Sequence, residues 1–221
     1  MKNHFTIATL ATLLMAGSLS AQQTSPEQPQ TSSPQANPSE SEDIPLTKEQ
    51  MFAKCLAIAN QEEVWLAKFA KEHTSSEQVK ALATTLEKSH QACLDELKAI
   101  ATKAAAARKE TNPTVAVANI NTHAMDFLKL HQEMSDQCLK DSKEMLSKKK
   151  DSDFDACFVG MQIAKHGMMH SSLTVLQKHT TGELQGFIKA SLVKNDEHMQ
   201  AATKLMDQLS DTAAARTARA K

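Results

Sequence analysis

From residue 47 onward, apolar positions recur every three or four residues in five stretches separated by short polar breaks. That is the period of one buried helical face. Thr47 to Gln50 (TKEQ) reads as a capping box. The stripe Phe52, Cys55/Leu56, Ala59, Leu66 and Phe69/Ala70 then predicts a first helix to about His73. Ser75 to Gln78 (SSEQ) caps a second, with Val79, Leu82, Leu86, Cys93/Leu94, Leu97 and Ala101 on its inner side. Asn112-Pro113 places a cap and a first-turn proline before a third, carrying Ile120, Ala124, Phe127, Met134, Cys138 and Met145. Lys148 to Lys150 suits the negative end of that helix, and Asp151 the positive start of a fourth. The fourth carries Phe154, Phe158/Val159, Met161, Met169, Leu173 and Leu176. Thr180 to Glu183 (TGEL) is box-like and opens a fifth, with Leu184, Ile188, Ser191, Ala202, Leu205 and Leu209. The basic, Ala-rich end from Asp211 to Lys221 is expected to fray.

The first and second helices are joined by about two residues, as are the fourth and fifth, and such short connections force antiparallel neighbours. The expected architecture is all-α: an up-and-down four-helix bundle of two long hairpins, with the third helix linking them. Composition agrees. The 221 residues include only five Gly, seven Phe, one Trp and no Tyr, too few turn formers and aromatics for a sandwich or barrel of this size. Ala, Leu, Lys, Glu, Gln and Met, which lose little on entering a helix, dominate instead.

The N-terminus, MKNHFTIATLATLLMAGSLSAQQ, has Lys2 before a short apolar run and then small residues ending at Ala21. This is the form of a secretory signal peptide cleaved after Ala21, with a run too short to span a bilayer. The first cysteine is Cys55, so no lipoprotein attachment site is indicated. Residues 22–46 are rich in Gln, Ser, Pro, Thr and Glu and hold five of the six prolines, the composition of a disordered tether. The bundle is expected over 47–210 and the tail over 211–221. The expected location is the periplasm or the extracellular space, with outer-membrane association as a further option.

The whole chain carries 25 basic and 26 acidic residues. With Lys2 and the acids Glu27, Glu40, Glu42 and Asp43 set aside, 24 bases face 22 acids. Neither this balance nor the aromatic poverty suits a nucleic-acid surface. No nucleophile-plus-base arrangement, Gly-rich phosphate loop or Cys-x-x-Cys motif is present, so hydrolase, nucleotide-binding and thioredoxin-like readings lack support.

Residues equidistant from the turn of an antiparallel hairpin sit at one level. Cys55 and Cys93 have their midpoint at residue 74, in the first turn; Cys138 and Cys157 have theirs between 147 and 148. In an oxidising compartment these pairs are expected as disulfides, against the alternative of four free thiols on apolar stripes. The same reasoning applies to the polar residues that interrupt the stripes. Glu63 and His90 centre near residue 76, on the first turn, while His166 and His198 centre on 182, on the last. With the hairpins in register, one carboxylate and three imidazoles share a layer.

Bundle interiors with Glu and His at one level are where carboxylate-bridged di-metal sites are built. Glu87-x-x-His90 fits that plan and Glu62 or Glu63 can serve on the first helix. The fourth and fifth helices offer Gln162, His166 and Asn195-x-x-His198 instead of the required carboxylates. A di-iron oxidase is thus disfavoured. A mononuclear site of Glu63, His90, His166 and His198, with Glu62, Glu87 and His170 as secondary candidates, suits zinc, copper or iron. The competing reading is a purely structural polar network that sets helix register. His73, His123 and His179 read as solvent-facing, and His131 as an ordinary stripe residue. Met161 to His170 (MQIAKHGMMH) packs thioethers and imidazoles that suit copper(I), although Met at helical spacing is more often core filling.

Glu63-Val-x-Leu-Ala-Lys-Phe-Ala on the first helix, His90 on the second, FDACF followed by His166 on the fourth and His198 late on the fifth together resemble the exported bacterial family called domain of unknown function 4142. The resemblance covers roughly Met51 to Leu209. It implies a ferritin-like helical bundle and an exported location, with Glu63, His90, His166 and His198 at the family's inner polar positions. It implies no activity, and the cysteines and the HGMMH run are not part of it. FDACFVGMQIAKH is also faintly similar to a His/Met-rich bundle family linked to periplasmic copper. Members are often labelled outer-membrane proteins, yet this chain has no alternating ten-residue strands to build a barrel.

Two functional readings remain open. One is a non-catalytic exported bundle that binds a metal ion in its core and serves envelope metal handling or stress. The other is an interaction module for an envelope protein partner, held out on its tether, with a core that is only structural.

Overall fold

The structure is a computed structural model that describes residues 46–110 and 118–219, and of residues 105–123 no side chain is described. The expected signal peptide, nearly all of the tether, the Asn112-Pro113 cap and the side chains of Ile120 and His123 lie outside the described residues. Among the described residues there are five helices and no strand: α1 (Lys48–His73), α2 (Glu77–Glu110), α3 (Ala118–Ser147), α4 (Asp151–His179) and α5 (Gly182–Arg219). None of them is long and apolar enough to cross a membrane.

The first start signal works as its sequence requires. The Gln50 N–H donates to Thr47 Oγ1 at 3.0 Å, and the Thr47 N–H to Gln50 Oε1 at 2.8 Å, closing the capping box. The TGEL segment behaves differently from its box-like reading. The Thr180 hydroxyl turns back to Leu176 O, and the Gln185 amide bridges to Gln177 O and Thr180 O. The turn is made by Gly182 at φ +57°, a conformation that costs a residue with a Cβ about 1–2 kcal/mol. At the other end, α5 runs to Arg219 through the Ala-rich stretch, and alanine is the residue that loses least on entering a helix.

α1 packs along α2 and α4 along α5, giving the two expected antiparallel hairpins; α2 meets α5, and α3 lies on α1 and touches α4. The core falls into two apolar clusters. One, nearer the α1–α2 turn, holds Leu66, Ala70, Leu82, Leu86, Phe154, Phe158 and Leu205. The other, nearer the α4–α5 turn, holds Leu56, Leu97, Leu173, Phe187 and Ile188. The first turn is pinned to α4, where the buried Thr74 hydroxyl donates to the Asp155 carboxylate.

Helix α3 corrects the expected stripe. Phe127, Met134, Cys138 and Met145 face solvent, Met134 at 59% exposure, while Leu128, Leu139 and Leu146 are buried. Both sets have helical spacing about one residue apart, so periodicity alone cannot choose between them. The contact with α1 decides it. Ser135, on the inward side, also donates to Glu62 at 2.8 Å.

The cysteines are free thiols in the structure: Cys93 buried, Cys55 and Cys157 half-buried, Cys138 exposed. Neither expected disulfide is formed there. Burial pushes the Cys55 and Cys93 thiols above their ordinary pKa, which keeps them protonated.

Candidate metal centre

Each of the four hairpin helices carries a polar step between its two apolar segments. On α1 it is Asn60 and Glu63, on α2 His90, on α4 Gln162 and His166, and on α5 Asn195 and His198; all seven are buried. Because the hairpins run in register, these steps meet as one layer separating the two apolar clusters.

Within that layer His90, His166 and His198 converge. One ring nitrogen from each lies within 4.8 Å of the others. The ring centroids form a nearly equilateral triangle with sides of 5.5, 5.3 and 5.2 Å. Metal–nitrogen bonds of about 2.0–2.1 Å place tetrahedral ligand nitrogens about 3.4 Å apart. Closure on an ion therefore asks for a contraction of at most about 1.4 Å, the scale of rotations about χ1 and χ2.

The hydrogen bonds behind the rings set their tautomers. The Asn60 amide donates to Leu56 O at 2.7 Å, which turns its Oδ1 toward His90 Nδ1, 2.8 Å away. His90 must therefore carry its proton on Nδ1, leaving Nε2 as a bare lone pair. His166 Nδ1–H likewise donates to Gln162 O at 2.8 Å, leaving its Nε2 as an acceptor 3.2 Å from His198 Nδ1. His198 thus supplies the proton between those two rings. A metal ion among the three would take that proton's place. Outer carbonyl partners of this kind are what fix imidazole ligands for metals.

Burial keeps His90 and His198 neutral. Burial, then the nearby His166 and Lys165, lowers the pKa of His90 to about 3. Burial, then His90 and His166, lowers that of His198 to about 3, with Glu63 pulling the other way. Neutral imidazole is the form that binds metal.

Beside the rings stands an ionic group. Lys165 Nζ is 3.1 Å from Glu63 Oε1 and also bonds Glu62. Burial works against the Lys165 charge, but the field and hydrogen bonds of Glu63 and Glu62 outweigh it and hold its pKa above the ordinary lysine value. Glu63 Oε2, His90 Nε2 and both amide atoms of Gln162 are buried without a hydrogen-bond partner. Such atoms are rare in a finished core, and here all four belong to residues of the polar layer.

Of the residues singled out from sequence, His90, His166 and His198 come together, with Glu63 and Glu62 beside them through Lys165. Glu87 turns away to pair with Lys71 at 2.6 Å and Lys68 at 4.0 Å. His170 pairs with Asp196 at 2.7 Å and is half-buried. His73 and His179 are exposed, and half-buried His131 stacks on Phe127. The methionines of the Met161–His170 segment diverge: Met161 and Met169 pack on opposite clusters, and Met168 is 73% exposed. Asn60 and Lys165 carried no sequence signal as site residues. Asn60 does sit four residues after Leu56 and three before Glu63, on the same face, which is the spacing that could have marked it.

A cavity of about 30 Å³ borders His90 and His198, with Leu173 and Phe187 among its apolar walls.

No curated protein and no solved structure matches the chain. The family described as domain of unknown function (DUF4142) matches residues 28–205, a span that contains the whole polar layer. The chain is therefore a member of the DUF4142 family.

Proposed function

We propose that this protein is an exported helical bundle that holds one transition-metal ion in its core, through His90, His166 and His198 with the Glu63 carboxylate beside them. Its role is metal handling or stress protection in the cell envelope. The observation that carries this reading is the convergence of three buried imidazoles, with a ring nitrogen of each close to the others and His90 and His166 anchored from behind through Nδ1. A purely structural network gains its stability by satisfying every member. This layer instead keeps His90 Nε2, Glu63 Oε2 and the Gln162 amide unpaired. Imidazole donors suit zinc, copper or iron, and a single carboxylate pair held by Lys165 does not supply the four carboxylates of a di-iron centre. The signal-like segment ending at Ala21 and the Pro-rich stretch after it support export.

Elemental analysis of protein purified from its native compartment, beside a His90→Ala/His198→Ala variant, tests the site. About one metal ion per chain, lost in the variant, is the expected result. No metal in either protein, with melting unchanged by a chelator, overturns it. Cell fractionation and the mass of the mature chain test export, for which cleavage after Ala21 is expected.

A further inference from the structure

The three-histidine cluster has two unlike sides. One carries Glu62, Glu63 and Lys165 in mutual ion pairing. The other opens into the cavity that borders His90 and His198. At about 30 Å³ this space holds about two waters, or one molecule of two or three heavy atoms. Glu63 is not part of its wall, so a carboxylate bond from Glu63 leaves the cavity side of an ion open.

The wall has a definite charge. Asn60 and Asn195 line it as neutral amides, each giving one N–H to a backbone carbonyl, Leu56 O and His166 O respectively. Of the lining residues, Lys194 carries the one full positive charge, and it makes no ion pair with any described residue. Its field reaches both His198 and Cys93. No carboxylate lines the cavity.

Charge balance points the same way. Glu62 and Glu63 against Lys165 leave one negative charge in the layer. A divalent ion turns that into one positive charge, and Lys194 adds a second beside it. Uncompensated charge in a buried site is costly, and a single small anion relieves it.

We propose that the cavity is an open coordination position, in which a small monoanion of two or three heavy atoms binds the metal and is held by Lys194. This rests on the reading that the three histidines hold a divalent ion. The site is then an exchangeable metal–anion centre, like catalytic sites that keep one position for an exogenous ligand, and unlike closed structural sites.

The test loads the full chain with cobalt(II) and titrates the visible spectrum with azide, for the native protein, Lys194→Met and Lys194→Arg. The expected result is one cobalt per chain in all three and a saturable spectral change with azide. The dissociation constant should be about tenfold weaker in Lys194→Met and restored in Lys194→Arg. One cobalt per chain with a spectrum that azide leaves unchanged overturns the open position while the metal site stands. Equal azide affinity in native protein and Lys194→Met overturns the role of Lys194 and the cavity. Failure to bind cobalt overturns both this inference and the site it rests on.

Discussion

Acid should destabilise the metal-free protein in a pH range where carboxylates hardly titrate. His90 and His198 have pKa values of about 3 in the fold, and an unfolded histidine titrates near 6.5. Because the folded values lie below the unfolded one, the unfolded chain takes up protons first as pH falls. The contribution is therefore fully present above about pH 6.5 and is lost as pH drops toward 3. From pH 7 to 5.5 the linkage integral is about 1.2 kcal/mol for each ring. His198 borders the cavity, and solvent screening there trims its share, so the pair is worth about 2 kcal/mol. Burial makes the largest part of both shifts; the groups that add to or oppose it are Glu63 on α1, His90 on α2, Lys165 and His166 on α4 and Lys194 on α5. Urea unfolding followed by far-ultraviolet circular dichroism, with chelator present, measures the change. A His90→Gln/His198→Gln variant keeps every other histidine, so the difference in slope isolates these two. Equal slopes in the two proteins, or native stability that is flat from pH 7 to 5.5, would refute the burial of two neutral rings.

Other consequences follow from the same packing. Asn60→Leu keeps the volume but leaves His90 Nδ1–H unpaired; stability should fall by about 1–3 kcal/mol and metal affinity by about 10–100-fold, read by unfolding and by competition with a chelator. Lys165→Met leaves Glu62 and Glu63 side by side without their cation. It should cost about 3 kcal/mol in thermal or urea unfolding, whereas Lys165→Arg should recover most of the loss. Leu86→Ala empties a position that is 1% exposed in the larger apolar cluster and should cost about 2–5 kcal/mol without changing metal stoichiometry.

How much of this was legible in the chain differs from element to element. The stripe of α2 was readable because Val79, Leu82, Leu86, Cys93 and Leu97 form one unambiguous apolar series, and all of them are buried. Residues equidistant from the short turns were placed at one level by symmetry, so Glu63, His90, His166 and His198 could be assigned to one layer before any side chain was positioned. Lys165 could not be found that way. Its ammonium is ordinary on a helix surface, and only the approach of α4 to α1 sets it between two carboxylates. The α3 face was misjudged for the same kind of reason, since two overlapping stripes compete and the neighbour chooses.

The sequence by itself determined the helices, their order, the two hairpins and the presence of a polar step on each of four helices, because hydrogen bonding along a helix and the period of its side chains are local. The tertiary structure decided what those steps do. Which nitrogen of His90 faces inward, which carboxylates meet Lys165, and where the cavity opens all depend on side chains from different helices, brought within a few ångströms only by packing. A hydrogen bond or an ion pair is settled by such distances, and no spacing along one chain records them.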